Sequence, residues 1–265
     1  MKSSFLPRRQ FLPASGREQV LGEIKRLPSL PSETLSSWLS ALEKEAPLNA
    51  SIFGVSASGV GLVRLIVRND KSPSPHLRMA LFGGLERSGI EVISQLRPYL
   101  QNRLLHRRKL KTEIRAYPLL YPSAWFGRAK HTSLLREIWT GSPLPEAYYL
   151  ERELAIHRFN LVITLHRSSD DQFHLETSSA VIHHDLLLPV YRAVCSALPG
   201  ISGKFPEPLL RSSFVGSVIA KNVLSPAPLE IALRASPSSN PWITGKILEE
   251  LESQYPALLA YQAYI

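Results

Sequence analysis

The chain has 265 residues, 44% of them hydrophobic, and a net charge of +9 from 31 Lys and Arg against 22 Asp and Glu. That length supports one large hydrophobic core, and no window approaches the roughly 18 uninterrupted apolar residues of a membrane-spanning helix. A single cysteine, Cys195, excludes an internal disulfide. The basic balance permits contact with nucleic acid, anionic lipid or acidic ligands and establishes none of them.

Residues 1–15 read as an extended arm rich in Pro and Arg, and residues 16–265 as a single domain. Arg8-Arg9-Gln10-Phe11-Leu12 has the look of a twin-arginine export signal. The segment after it is charged rather than apolar, so a cytoplasmic location is expected. A short helix over 16–26 ends at Pro28 and Pro31. Ser32-Glu33 opens a second, with Leu35, Trp38, Leu39 and Leu42 at helical spacing. Strands are predicted over 51–55 and 61–67, with turn residues Ser56 to Gly59 between them. Leu77 to Phe82 is a buried strand closed by Gly83-Gly84, and Ile90, Ile93, Leu96 and Leu100 mark a helix.

Ile114 to Tyr117 reads as another strand. Residues 117–142 form a long irregular stretch rich in Pro, Gly and aromatics, a length that usually carries function. A helix runs from Pro145 to His157, a buried strand over 161–165, a shorter strand over 173–177 and a helix over 181–198. Cys195 falls in that apolar helix and reads as a buried structural thiol. Leu229 to Leu233 is a last inner strand, followed by a helix over 244–259. Short apolar strands alternating with helices predict an α/β fold with a mixed, largely parallel central sheet and helices on both faces. Ligands of such sheets sit beyond the carboxyl ends of the strands, which here means the segments after Phe82 and after Leu165.

Gly54-Val-Ser-Ala-Ser-Gly59, an apolar strand, and then Leu81-Phe-Gly-Gly84 resemble the opening of zinc carboxypeptidases. The nearest flavour is the bacterial branch related to succinylglutamate desuccinylase and aspartoacylase. The resemblance continues through Tyr121-Pro122, Leu134-Leu-Arg-Glu137, Pro145-Glu146, and Phe159-Asn-Leu-Val-Ile-Thr-Leu-His166. It ends in Pro228-Leu-Glu-Ile-Ala-Leu-Arg-Ala-Ser236. It implies a carboxypeptidase-like fold. It also implies where a zinc site would stand: a His and a Glu three residues apart after the double glycine, a third His at the end of the 161–166 strand, and a catalytic Glu on the last strand.

At those positions the sequence has Glu86, Gly89, His166 and Arg234. A catalytic zinc needs three protein ligands and an open position for water. His166 alone survives, and Arg234 stays protonated and cannot act as a base. The resemblance therefore implies no zinc and a degenerate site. The exception would be a rebuilt one around His166, Glu86 and Asp170 or Asp171, whose carboxylates suit a hard cation. The family's substrate-carboxylate arginines fall at Arg136 and, less firmly in register, Arg128. An Arg pair suits a carboxylate or phosphate bidentately.

Three functions stand open on this reading. The first is a non-catalytic, carboxypeptidase-like protein that binds an acidic small molecule, a peptide carboxylate or a protein partner through the old cleft. The second is a metal-dependent hydrolase with a rebuilt site. The third is a basic interaction or structural protein acting through its surface arm, residues 1–15, and through 103–111. That run, Arg103 to Lys111, has no interleaved aromatic to stack on bases, so a solvated helix end is expected and nucleic acid is not. His183-His184-Asp185 lies on a helix, where adjacent side chains diverge by about 100°, so no shared metal is expected. Trp125, Trp139 and Tyr148-Tyr149 read as core or loop anchors rather than pocket walls.

Overall fold

The computed structural model describes residues 42, 49–69, 71, 75, 77–126, 133–134, 136, 144–177, 182–201 and 228–254. The arm over 1–15, the helix over 16–26, most of the second helix and Arg128 lie outside the described residues. Leu42 is helical and 1% exposed, within the main core, as its place on an apolar face requires.

Seven strands make one sheet: β1 (Asn49–Val55), β2 (Gly61–Val67), β3 (Leu77–Phe82), β4 (Thr112–Tyr117), β5 (Leu161–Arg167), β6 (His174–Glu176) and β7 (Leu229–Ala235). Their order is β1-β2-β4-β3-β5-β7-β6. The pairs β4/β3, β3/β5 and β5/β7 are parallel, while β1/β2, β2/β4 and β6/β7 are antiparallel. The described helices are α1 (Arg97–Leu105), α2 (Pro122–Trp125), α3 (Pro145–His157), α4 (Leu188–Ala197) and α5 (Pro241–Ser253).

Alternation along the inner strands divides the core in two. Met79 and Leu81 of β3, with Ile163, Leu165, Ile231 and Leu233, meet Tyr99, Leu100, Val190, Val194 and Leu251 of α1, α4 and α5. Ala80 and Phe82, one residue out of phase, meet Val162, Tyr117, Leu150 and Leu154 on the opposite face, where α3 lies. Both faces are covered, so the inner strands read as continuous apolar runs, as parallel strands do.

The second face also holds a charged cluster. Both oxygens of Glu153 accept from Arg64 Nη1, at 3.0 and 2.8 Å, and Tyr117 Oη donates to Glu153 Oε2 at 2.7 Å. Burial pushes the Glu153 carboxyl up, and hydrogen bonding with His157, Tyr117 and Arg64 outweighs it and holds the group at about 2. Beside it, Arg115 Nε donates to Glu113 Oε1 at 2.6 Å.

Three elements differ from the sequence expectation. Residues 87–96 form a 3₁₀ helix and the α-helix begins only at Arg97. Gly89 and the β-branched Ile90, Val92 and Ile93 are poor α-formers, which suits the tighter turn. Residues 183–187 form a π-helical segment before α4. The last helix starts at Pro241, because the Asn240 side chain accepts from Trp242 N at 3.0 Å and Pro241 takes the first-turn position. Cys195 is half-buried against the core rather than fully enclosed.

Gly54 has a steric reason. A Cβ there would sit 2.4 Å from the Tyr149 ring, so β1 and α3 approach more closely than any side chain allows. Gly54→Ala is expected to cost about 1–3 kcal/mol through overpacking, read as a lower midpoint in denaturant. An unchanged midpoint would show that Tyr149 swings away freely.

Candidate functional site

From β3 the chain returns beside it as β4, and it reaches the other side of β3 as β5. That reversal leaves a crevice beyond the carboxyl end of β3, where ligands of such sheets bind. Gly83 and Gly84 shape it. A Cβ on Gly83 would lie 2.9 Å from Pro118 O, and Gly84 has φ +58° with Leu119 Cδ1 at 2.7 Å from its would-be Cβ. The turn is stitched by Leu120 N to Gly83 O at 3.1 Å and Tyr121 N to Gly84 O at 2.9 Å. Only glycine combines that positive φ with so close an approach.

The turn delivers Glu86 to the start of the 3₁₀ helix with extended backbone. Glu86 stands just before that helix and Gly89 in its first turn, where Gly89 N donates to Glu86 O at 3.0 Å. A Cβ on Gly89 would lie 3.2 Å from Glu86 Cγ and 3.7 Å from Leu165 O. His166, at the end of β5, brings Nδ1 to 3.3 Å from Glu86 Oε1 and Nε2 to 3.1 Å from Thr164 Oγ1. The three positions singled out in the sequence as ligand sites therefore do converge.

Arg234 joins them through the sheet. It is the β7 register partner of His166 on one side and of His174 of β6 on the other. The three side chains form a row across the strand ends, each beside its own carboxylate. His166 meets Glu86, Arg234 Nε donates to Glu176 Oε1 at 2.8 Å, and His174 Nε2 lies 2.7 Å from Asp170 Oδ1. The His166 hydrogen bond holds the Glu86 carboxyl below its usual range; burial opposes this, and the His166 and Arg234 charges add to the lowering. Asp170 is held at about 2, first by the hydrogen bond to His174 and then by that from Ser168. Asp171 Oδ1 accepts from Ser236 Oγ at 3.0 Å and from Ser238 Oγ at 2.8 Å.

These donors do not fit a catalytic zinc. Both His166 ring nitrogens face partners, Glu86 is engaged by His166, Gly89 offers no side chain, and Arg234 brings positive charge. Asp170 and Asp171 are directed to His174 and to the Ser236–Ser238 turn rather than to His166. Among the described residues no three His, Cys, Asp or Glu side chains gather to hold a metal ion. His183 is buried and His184 and Asp185 are exposed, yet the two imidazoles meet edge to face with centroids 5.1 Å apart, closer than the expected divergence of adjacent helix positions.

Arg136 lies at the rim. Leu134 N donates to Leu85 O at 2.8 Å and Ser133 bridges Glu86, so this segment runs along the crevice edge. Arg136, two residues on, is exposed. Trp125 packs half-buried against the main core and Tyr149 lies under Gly54, so both act as anchors, whereas Tyr148 is 62% exposed. Two partners escaped the sequence reading, Thr164 and Glu176; Glu91 pairs with Arg167, its Oε2 lying 2.6 Å from Nη1. Thr164 was readable, being two residues from His166 on the same strand face. Glu176 depends on the β6–β7 register.

No family model matches this sequence, and no curated protein matches it. Solved structures do match in fold. A proposed carboxypeptidase A from Shewanella denitrificans superposes with a TM-score of 0.62 at 14% identity, covering 88% of this chain and 70% of that one. A metallo-carboxypeptidase from Pseudomonas aeruginosa gives 0.59 at 16%, covering 84% and 68%. Bovine thrombin-activatable fibrinolysis inhibitor gives 0.59 at 14%, covering 88% and 99%. The chain has a carboxypeptidase-like α/β fold.

Proposed function

We propose that this protein is a non-catalytic relative of the carboxypeptidase fold, and that it binds an acidic ligand, a peptide carboxylate or a free carboxylic acid, in the crevice beyond β3. The observation that carries this reading is the contact between Glu86 and His166, with Gly89 beside them. Two of the positions that hold metal in the family resemblance are satisfied by each other, and the third has no side chain. Arg234 adds a cation where the resemblance places a catalytic carboxylate. Paired through Nε with Glu176, it still cannot serve as a metal ligand or a base. Arg136, exposed on the rim, supplies a planar guanidinium suited to bidentate carboxylate recognition.

The test is titration of purified protein with N-acetylglutamate and with a short peptide bearing a free C-terminal carboxylate, by calorimetry and by product analysis. Binding without turnover is expected, and added zinc is expected to leave turnover absent. Arg136→Ala should weaken binding about 10–100-fold, the value of one charge-assisted hydrogen bond, with thermal stability unchanged. Chelator-sensitive hydrolysis, dependent on His166, would overturn the reading in favour of a rebuilt metal site. Binding indifferent to Arg136 would remove the assigned anchor.

A further inference from the structure

The opposite end of the sheet carries a different chemistry. β2 ends at Val67, while β3 and β4 begin at Leu77 and Thr112, which are register partners. Residues 68, 69, 71, 78 and 110–113 therefore meet at the amino ends of the parallel strands. Five residues along β3 separate Arg78 from Gly83, roughly 16 Å of strand, so this end is separate from the crevice.

A cavity of about 130 Å³ opens there, lined by Arg68, Asn69, Arg78, Lys111 and Glu113 among others. Asn69 fastens its two basic walls together. Its Nδ2 donates to Arg108 O at 2.9 Å, and its Oδ1 accepts from Lys71 N at 3.1 Å. The turn after β2 is thus tied to the 3₁₀ turn Arg107–Lys109. Arg68, Lys71, Arg108, Lys109 and Lys111 are all exposed around the opening. Glu113 is the one carboxylate in the lining, and Arg115 Nε already holds it at 2.6 Å.

We propose that this surface is a second binding site, for the phosphodiester backbone of a nucleic acid, contacted without base readout. The cavity is well below the roughly 300–1,000 Å³ of sites that enclose a whole small molecule. It admits a compact oxyanion instead. The cations continue outside it, over Lys71 and Arg108–Lys109, as a repeating anion requires and a single phosphate does not. Its lining holds no aromatic, so the contact is with phosphates rather than stacked bases. The sequence alone pointed away from nucleic acid, because no aromatic interleaves residues 103–111; contact with phosphates needs none, and the fold adds Arg68, Lys71 and Arg78 to that run.

The experiment is fluorescence anisotropy with labelled mixed-sequence DNA and RNA duplexes of about 20 base pairs, at 50 and 200 mM salt. Micromolar binding is expected at low salt, falling steeply as salt rises through counterion release. Lys111→Glu with Arg108→Glu should weaken binding at least about tenfold and flatten the salt slope by about 2. Both residues are exposed, so the fold should survive, and circular dichroism checks it. Arg136→Ala should bind duplex like the parent, which separates this site from the crevice. Absence of binding at 50 mM salt would overturn the proposal. So would equal binding by the charge-reversed variant, which would assign the effect to overall charge. Residue-dependent binding to phosphatidylserine vesicles in place of duplex would overturn it in favour of a membrane surface.

Discussion

The double variant Glu86→His with Gly89→Glu is expected to retain about one zinc per chain after dialysis, while the parent chain retains none; elemental mass spectrometry reads both. With His166 these substitutions restore three protein ligands, the number a catalytic zinc needs. The geometry supports the graft. Position 86 precedes the 3₁₀ helix and position 89 lies in its first turn, joined to it by Gly89 N to Glu86 O at 3.0 Å, and His166 already reaches the residue at 86. Space at 89 is tight but usable: a new Cβ meets the Cγ of residue 86 at 3.2 Å, a side-chain atom that a small rotation moves aside, and its next neighbour is Leu165 O at 3.7 Å. Zinc at about a hundred times its dissociation constant should stabilise the variant by about 2.7 kcal/mol and the parent not at all. One zinc in the parent, lost in His166→Ala, would sink the proposed loss of metal. A metal-free double variant would instead show that the three positions do not share a tetrahedral centre.

Glu153→Gln is expected to destabilise the fold by about 3 kcal/mol, the cost of leaving a largely buried guanidinium without its charge partner. Arg64 and Glu153 are only 18% and 7% exposed, so solvent offers little compensation. In a domain of this size that is roughly 6–12 °C in melting temperature. The parent should also show a matching acid dependence. Glu153 is held at about 2 in the folded chain against 4.5 when unperturbed. A depressed carboxyl contributes stability that is complete above its unfolded value and is lost as pH falls through its folded value. The loss should therefore fall between about pH 4.5 and pH 2, and amount to about 3 kcal/mol. Chemical denaturation across that window reads it, and Glu153→Gln should flatten it. Equal acid slopes in parent and variant would move the effect to another group.

Much of the frame was legible because its elements are local. Leu77–Phe82 and Gly61–Val67 are short apolar runs closed by turn residues, and both strands lie where those runs predict. Pro145 opens α3 where the sequence places it. The site positions were legible as positions: residues 86, 89 and 166 do meet. What was hidden is what each side chain does once there. The Arg234–Glu176 pair requires the β6–β7 register, and Asp170 turns to His174 because a four-residue span folds back on itself. The 3₁₀ form of 87–96 was missed because its apolar spacing fits an α-helix equally well. The basic end of the sheet was missed because Arg68, Arg78 and Lys111 are far apart in the chain and adjacent only across strand starts.

The double-glycine turn sets how this fold can change. It holds the crevice open with backbone alone, through hydrogen bonds of Gly83 and Gly84 to Leu120 and Tyr121. None of the side chains at 86, 89, 166 or 234 contributes to that shape or to either apolar core. Architecture and chemistry are thus written in different residues. Selection can erase or rewrite the reactive groups at small cost to folding, whereas a single methyl group at Gly83 would meet Pro118 O at 2.9 Å and displace the turn whatever the reaction. Mutational tolerance in this chain should accordingly be high at the reactive positions and lowest at two residues that perform no chemistry.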